Sequence, residues 1–455
     1  MSTSEFDDYK VNHLFLLVGE NPLPNYVAAR LLLESGGTVH LVYTTQTKPR
    51  ADLLEQELKK LNIAVKPVEL GDAAADGKKI RQKIKDKIQP KGKPPLNGRI
   101  GLNYTGGTKA MAVHAYQTLI ELELAAPVFS YLDSIKLQMC IDDNENETTI
   151  AIPAALAISP KLETILKLHN LSWQANNPPI SEPQLPQAAI EFAKQFMKIP
   201  EQGQESKISG MWRKWCDAAF KNAKEPSGYW KQESDLSKLS PLQLSIVTDK
   251  WTVQVPDEIK KILREVMPGA SDTELNIQQA LQKSQLDKDH PGFKEVKQVY
   301  QWLDGGWLED YVLSQVKQIS HKYSINERKM SLHIQDPDKS WRRTDQFEFD
   351  VAFLRGYQLF AISCTTSADH KLCKQKLFEA HLRAKQLGGD EARIALVCCY
   401  DQDPNYLKQE LSLILGNPKE GDKYDPKIEV FRRSDLEPNQ FAKKLDQWIF
   451  RNAEK

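Results

Sequence analysis

The sequence predicts an α/β protein in three parts: an N-terminal doubly wound sheet over residues 1–155, a linker with a small helical module over 156–294, and a second α/β core over 295–455. Three observations predict this. Apolar strand-like runs alternate with helical patterns along the first third of the chain, the signature of parallel βαβ units. A proline-rich stretch, "NNPPISEPQLPQ" (176–187), then breaks the pattern. Beyond residue 295 a helix, two alternating strands, a long helix and a buried strand form a set of their own. A chain of 455 residues also exceeds what one hydrophobic core organises.

The elements follow in order. "HLFLLVG" (13–19) is a continuous apolar run suited to a strand covered on both faces. "PNYVAARLLLESGG" reads as a helix opening after Pro24 and closing at Gly36–Gly37. "TVHLVYTT" is a second strand. "TKPRADLLEQELKKLN" is an amphipathic helix with Leu53, Leu54, Leu58 and Leu61 on one side. "IAVKPVEL", "RIGLNYT" and "APVFSYLD" complete the strands, the last two separated by the helix "TKAMAVHAYQTLIELEL". In the middle part, "GMWRKWCDAAFKNA", "PDEIKKILREVM" and "DTELNIQQALQ" read as helices. The last part holds a helix from "GGWLEDYVLSQVKQIS", a strand pair joined at Arg355–Gly356–Tyr357, the helix "HKLCKQKLFEAHLRAKQLGG", the strand "ARIALVCCY" and a final strand in "KIEVFRRSDL".

Composition narrows the function classes. Lys plus Arg and Asp plus Glu number 61 each, so only local patches can argue for a charged partner. Six scattered cysteines show no CxxC or Cys/His metal spacing, which points to a reduced, intracellular chain. The polar, acidic start "MSTSEFDDYK" is not a signal peptide, and no apolar run approaches the ~20 residues of a membrane span. The expected location is the cytoplasm, away from the membrane.

"LNYTGGTKAM" (102–111) joins a strand to a helix. Gly106 and Gly107 permit a tight turn, and the amides of Gly107, Thr108 and Lys109 would open the helix beside a lysine, an arrangement that attracts phosphate. It lacks the spacing of a Walker loop and of GxGxxG. By spacing alone, a glycine turn with a solvated lysine remains an equal reading. "GENPLPNY" (19–26) and "YTTQT" (43–47) end two other strands at the same edge, where open parallel sheets bind ligands. Three polar loops suit a phosphate-rich nucleotide better than a hydride cofactor, because no acid ends the second strand to hold a ribose.

With "FSYLD" (129–133), these loops resemble the CARF domain of type III CRISPR ancillary proteins, in particular the group that couples CARF to a PD-(D/E)XK nuclease domain. The resemblance implies a Rossmann-like sheet that dimerises and binds cyclic oligoadenylate, with cyclic tetra-adenylate the expected ring, across the two-fold axis. It implies that Asn103, Thr105, Gly106, Gly107, Thr108 and Lys109 line the ligand, with Asn25 and Thr45 as further contacts.

In "FEFDVAFL" a period of two puts Phe347, Phe349, Val351 and Phe353 on one face, in the core, and Glu348 and Asp350 on the other, in the open. A metal-dependent nuclease needs carboxylates for magnesium or manganese and a lysine to orient water or stabilise charge. The resemblance supplies Asp350 and, from the helix "GGWLEDYV", Glu309 as catalytic residues and metal ligands of a restriction-endonuclease-like domain. Where the pattern carries Glu and Lys two residues apart on the next strand, this chain has Ser363 and Thr365 in "ISCTTS".

Two readings follow. The centre has lost a carboxylate and an ammonium, and with them most of its electrostatic stabilisation. Alternatively, the lysine has moved to the following helix as Lys371, Lys374 or Lys376, with Lys376 the named candidate and Glu379 replacing the acid. Charge favours the first. The expected role is thus a cyclic-oligoadenylate sensor with a weakened effector. The alternatives are a ligand-activated DNA or RNA endonuclease with a rearranged centre, and a metal-independent ring nuclease acting in the CARF pocket. The basic stretch 78–93 reads as an amphipathic helix with a wet lysine face, and Trp212, Trp215 and Trp230 as core of the middle module.

Overall fold

The computed structural model describes residues 4–453, apart from 125, 144–147, 197–206, 249–250, 285–291, 340–345 and 416–424. The amino-terminal part runs β1 (Val11–Leu17), α1 (Leu23–Leu32), β2 (Leu33–Tyr43), α2 (Lys48–Lys59), β3 (Ala64–Glu69), α3 (Gly77–Ile88), β4 (Ile100–Asn103), α4 (Lys109–Glu121), β5 (Val128–Asp133), β6 (Gln138–Asp143) and β7 (Thr148–Pro153). They form one seven-stranded sheet in the order β3-β2-β1-β4-β5-β6-β7. The first five strands in that order are parallel, and β6 and β7 add antiparallel at the edge.

Two local expectations fail here. The first helix stops at Leu32, short of Gly36–Gly37, because the chain turns extended at Leu33 (φ −93°, ψ 132°) and enters β2 directly. On α2, Leu54 and Leu58 are fully buried, whereas Leu61 lies beyond the helix and is 39% exposed. The basic helix α3 buries Ile80, Ile84 and Ile88 and leaves its lysines to solvent, as its periodicity requires.

The middle part contains α5 (Leu162–Leu168), β8 (Ser172–Trp173), α6 (Pro186–Phe196), α7 (Lys207–Ala219), α8 (Glu233–Leu236), β9 (Leu242–Gln243), β10 (Ser245–Val247), β11 (Thr252–Gln254), α9 (Asp257–Val266), β12 (Glu274–Leu275) and α10 (Ile277–Ser284). Its helices carry it, with two two-stranded ribbons between them. Trp212 and Trp215 are buried in its core, beside Phe192 and Phe220.

The last part comprises α11 (Val296–Gln301), α12 (Trp307–Ile319), β13 (Ile325–Gln335), β14 (Gln346–Arg355), β15 (Gln358–Thr365), α13 (His370–Gly388), β16 (Arg393–Cys398), α14 (Asn405–Leu415), β17 (Ile428–Phe431) and α15 (Pro438–Asn452). Its six-stranded sheet has the order β17-β16-β15-β14-β13-β8 and is parallel only at β15–β16–β17. One face is covered by α13, and through this helix and α5 it shares a core with the amino-terminal part that includes Leu16, Val39, Leu166, Leu332 and Leu359. The other face packs on α12, which joins it to the middle helix α6 in a second core.

The strict alternation expected for "FEFDVAFL" does not hold. Phe347 and Phe349 pack in the core shared with the amino-terminal sheet, whereas Val351 and Phe353 pack on the opposite side. The side changes at Asp350. The β13 residue beside it is Ser331, held at φ +53°, a left-handed conformation that interrupts the pleat. One consequence is that Asp350 is buried rather than open.

Candidate functional site

Two loops meet at the carboxyl edge of the amino-terminal sheet. β4 ends at Asn103 and α4 opens after Thr108, whose hydroxyl accepts from the Met111 amide at 3.2 Å and donates to the Ala74 carbonyl at 2.8 Å. Gly106 and Gly107 are needed there. A Cβ on Gly106 would lie 2.2 Å from the Leu17 carbonyl oxygen, and Gly107 sits at φ +73°. Thr105 is pinned by the Leu132 amide, which donates to its hydroxyl at 2.7 Å.

Of the eight residues expected to line a ligand, Thr45, Gly107, Thr108 and Lys109 are exposed, and Thr105 and Gly106 are half-buried beside them. Asn25 and Asn103 are not at the surface. Both are fully buried, because their amides support the loops from beneath. Asn25 Nδ2 donates to the Leu17 carbonyl at 3.0 Å, and Asn103 Nδ2 donates to Ser130 Oγ at 3.1 Å.

The second site is a cleft of about 610 Å³ between the last sheet and the middle module. Glu309 comes from the first turn of α12, and Glu348 and Asp350 from β14. One carboxylate oxygen from each lies within 4.8 Å of the others. Among the described residues this is the one group of three or more His, Cys, Asp or Glu side chains close enough to share a metal.

Each acid is held. Ser331 Oγ donates to Glu309 Oε2 at 2.7 Å. Ser363, just past the last β14–β15 pair, Val351 with Ile362, donates its Oγ to Asp350 Oδ2 at 2.8 Å, and the Cys364 amide donates to the same oxygen at 2.5 Å. Lys376 Nζ, from the second turn of α13, stands 3.3 Å from that oxygen. Asp369 sets the start of α13 by accepting from the Leu372 amide at 2.8 Å.

The other helix lysines do not reach the acids: Lys371 is exposed and Lys374 pairs with Glu410 at 3.2 Å. Thr365 lines the cleft with a hydroxyl that accepts from the Ser367 amide at 3.2 Å, and Ser363 is buried behind Asp350. Glu379 is exposed on α13 and acts on the cluster only through its charge.

Crowded carboxylates perturb one another. Burial, then the charges of Asp350 and Glu348, push Glu309 well above the ordinary carboxylate range. Enclosure in the cleft, then Asp350, pushes Glu348 up to about 8, although 40% of its side chain remains open to solvent, which tempers the effect. Burial pulls the Lys376 ammonium down, but Asp350, Cys364 and Glu348 outweigh it and hold the group above its ordinary value. Burial raises the Cys364 thiol well above its usual range, so it is no nucleophile.

The donor set fits a hard divalent cation. Three carboxylates converge where burial and then their mutual repulsion make two of them resist ionisation, and oxygens across a magnesium ion sit about 4.2 Å apart. Glu309, Glu348 and Asp350 would hold it.

Two features escaped the sequence reading. Glu348 was placed beside Asp350 but given no role, although the FEFD alternation puts both acids on one face. Asp310 is fully buried and accepts from the amides of Gln184 and Leu185 at 2.6 and 2.8 Å, which ties the proline-rich linker to the helix that carries Glu309. No periodicity marks that contact.

No family model matches the chain, and no curated protein does. Solved structures do match. Protein VC1899 from Vibrio cholerae aligns over 97% of this chain and 99% of its own at 14% identity, with a TM-score of 0.66. Can2 from Sulfobacillus thermosulfidooxidans, solved in complex with cyclic tetra-adenylate, aligns over 96% and 99% at 17% identity and a TM-score of 0.59. A type III CRISPR defence DNA nuclease activated by cyclic oligoadenylate aligns over 97% of this chain and 52% of its own at 15% identity and a TM-score of 0.53. The likeness at such identities is one of fold, and it runs through all three parts: this chain has the α/β fold of the CARF–nuclease proteins that its loops and strands resemble.

Proposed function

We propose that the protein is a cyclic-oligoadenylate-responsive, metal-dependent nuclease of type III CRISPR defence, acting as a homodimer, with cyclic tetra-adenylate as its ligand and DNA or RNA as its substrate. The observation that carries the nuclease reading is Lys376 at 3.3 Å from Asp350 beside three converging carboxylates. The charges absent from Ser363 and Thr365 are supplied from elsewhere, Glu348 giving the third acid and Lys376 the ammonium. This favours the rearranged centre over a degenerate one.

Magnesium or manganese bound there would supply a water of lowered pKa and charge stabilisation at phosphate. The chain's own groups do the rest. Glu309, Glu348 and Asp350 hold the cation, Ser363 and the Cys364 amide orient the Asp350 carboxylate, and Lys376 places a positive charge at the phosphate being cut. The ligand reading rests on the exposed Thr108–Lys109 start of α4, where free amides and a lysine meet at the sheet edge.

Cleavage of labelled DNA and RNA with manganese, with and without cyclic tetra-adenylate, tests the whole reading. The expected result is ligand-stimulated cleavage that EDTA and Asp350→Ala abolish. Equal cleavage by the parent and Asp350→Ala would overturn it.

A further inference from the structure

The acid cluster forms only one side of the cleft. The other side comes from the middle module together with α11, and it carries aromatic rings and a lysine in place of carboxylates. A tight turn holds Tyr229 at the rim: the Glu225 amide donates to the Tyr229 carbonyl at 2.7 Å, the Gly228 amide donates to the Glu225 carbonyl at 2.8 Å, and Gly228 takes φ +85°. Tyr229 is 52% exposed, and both it and its neighbour Trp230 line the cleft.

The turn is braced from behind. The Lys224 ammonium lies over the Trp230 ring at 4.7 Å and pairs with Asp304 at 2.5 Å. Arg213 pairs with the same carboxylate at 2.5 Å. Arg213 also pairs with Asp217 at 3.2 Å, so these four charges balance and the cation left to face the cleft is Lys297. Lys297, half-buried on α11, also lines the cleft; its backbone amide donates to Glu233 at 3.1 Å, and its ammonium has no carboxylate partner among the described residues.

We infer that this wall is the substrate-positioning surface of the nuclease: Tyr229 stacks on a base of the nucleic-acid strand, and Lys297 holds a backbone phosphate so that the neighbouring linkage lies at the acids. The inference rests on the nuclease reading and assigns a task to the Tyr229 turn of the middle module and to α11. An anionic strand needs positive charge opposite a carboxylate floor, and base stacking on an aromatic face is tolerant of sequence. Trp230 does not itself stack, since Lys224 occupies one face of its ring. Both groups are positioning residues, because neither touches the acids.

The test uses the full-length chain with Asp350→Ala, which binds without cutting, and a fluorescent single-stranded oligonucleotide in calcium. Tyr229→Ala is expected to weaken binding about tenfold, and Tyr229→Phe or Tyr229→Trp to restore it. Lys297→Ala is expected to lower the slope of log affinity against log salt by about 0.7, the value for one phosphate on a single strand. In the active protein both changes should raise KM with kcat near the parent's. Unaltered affinity and salt slope in these variants would overturn the inference while leaving the nuclease reading intact. Absence of cleavage by the parent, with binding still lost in Tyr229→Ala, would overturn only the nuclease reading. A fall in melting temperature that accounts for the loss, with no rescue by Tyr229→Phe, would also count against the wall.

Discussion

Lys376 Nζ, on a helix, lies 3.3 Å from the Oδ2 of Asp350, on a strand twenty-six residues earlier in the chain. The same oxygen accepts from Ser363 Oγ and the Cys364 amide. A single carboxylate oxygen thereby receives the helix ammonium and the strand hydroxyl together, and the position of the charge no longer depends on what residue 365 is.

Lys376→Ala should therefore reduce metal-dependent cleavage by about 10²–10³-fold, the scale of losing one preorganised charge donor. Lys371→Ala should have little effect. Adding Thr365→Lys to Lys376→Ala should restore part of the rate, since residue 365 also lines the cleft. Initial rates at saturating manganese and ligand decide this. A Lys376→Ala protein that cuts as fast as the parent would return Thr365 and Ser363 to the status of lost charges.

Ser363→Glu should not repair the centre. Ser363 is only 8% exposed and its hydroxyl is committed to Asp350, so a glutamate there would bury a fourth carboxyl against three that already crowd one another. A loss of about 2–4 kcal/mol in stability is expected from overpacking and an unpaired charge. Ser363→Ala should cost less, about 1–3 kcal/mol, the scale of a lost hydrogen bond to a charged group. Denaturant midpoints for both variants provide the check.

The carboxylate cluster should make the metal-free protein lose stability as pH rises. Glu348 has its folded pKa raised from 4.5 to about 8, and Glu309 is raised too. Between those values the native state holds protons that the unfolded chain has released, so stability falls with rising pH across that window. Manganese should reverse the trend by replacing the protons, and Glu348→Gln should flatten it. Melting temperatures at pH 5, 6.5 and 8, with EDTA and with manganese, would show the opposite slope if the cluster were not strained by its own charge.

At the other edge, Lys109→Ala should weaken cyclic tetra-adenylate binding by about 1–3 kcal/mol, the scale of a hydrogen bond to a charged group, without affecting folding, because Lys109 is exposed. Gly106→Ala should harm both, since its Cβ would press on the Leu17 carbonyl oxygen. Titration calorimetry beside thermal melts separates the two. Binding as tight as the parent's in Lys109→Ala would remove the lysine from the ligand site.

Most elements were legible in the chain because their signals are local. Runs such as "HLFLLVG" bury on both faces, Ile80, Ile84 and Ile88 recur at helical spacing, and Gly106–Gly107 mark a turn whose backbone admits no Cβ. Asp350 and Glu309 were reached through the resemblance of their motifs, whereas Glu348, two residues before Asp350 on the same strand, was seen without its role. What tertiary structure alone decided was which groups complete them. Lys376 is brought to Asp350 by the packing of α13 on β15 and β16, a distance no spacing encodes. Asn25 and Asn103 look like ligand contacts in sequence, but Asn25 lies in the first turn of α1 against the end of β1 and Asn103 at the buried end of β4, so both amides bond inward. The left-handed Ser331 flips the pleat at Asp350, which a strict two-residue period cannot anticipate. Local propensity sets where strands and helices lie, whereas the convergence of charge depends on long-range packing, and there the sequence is silent until it is folded.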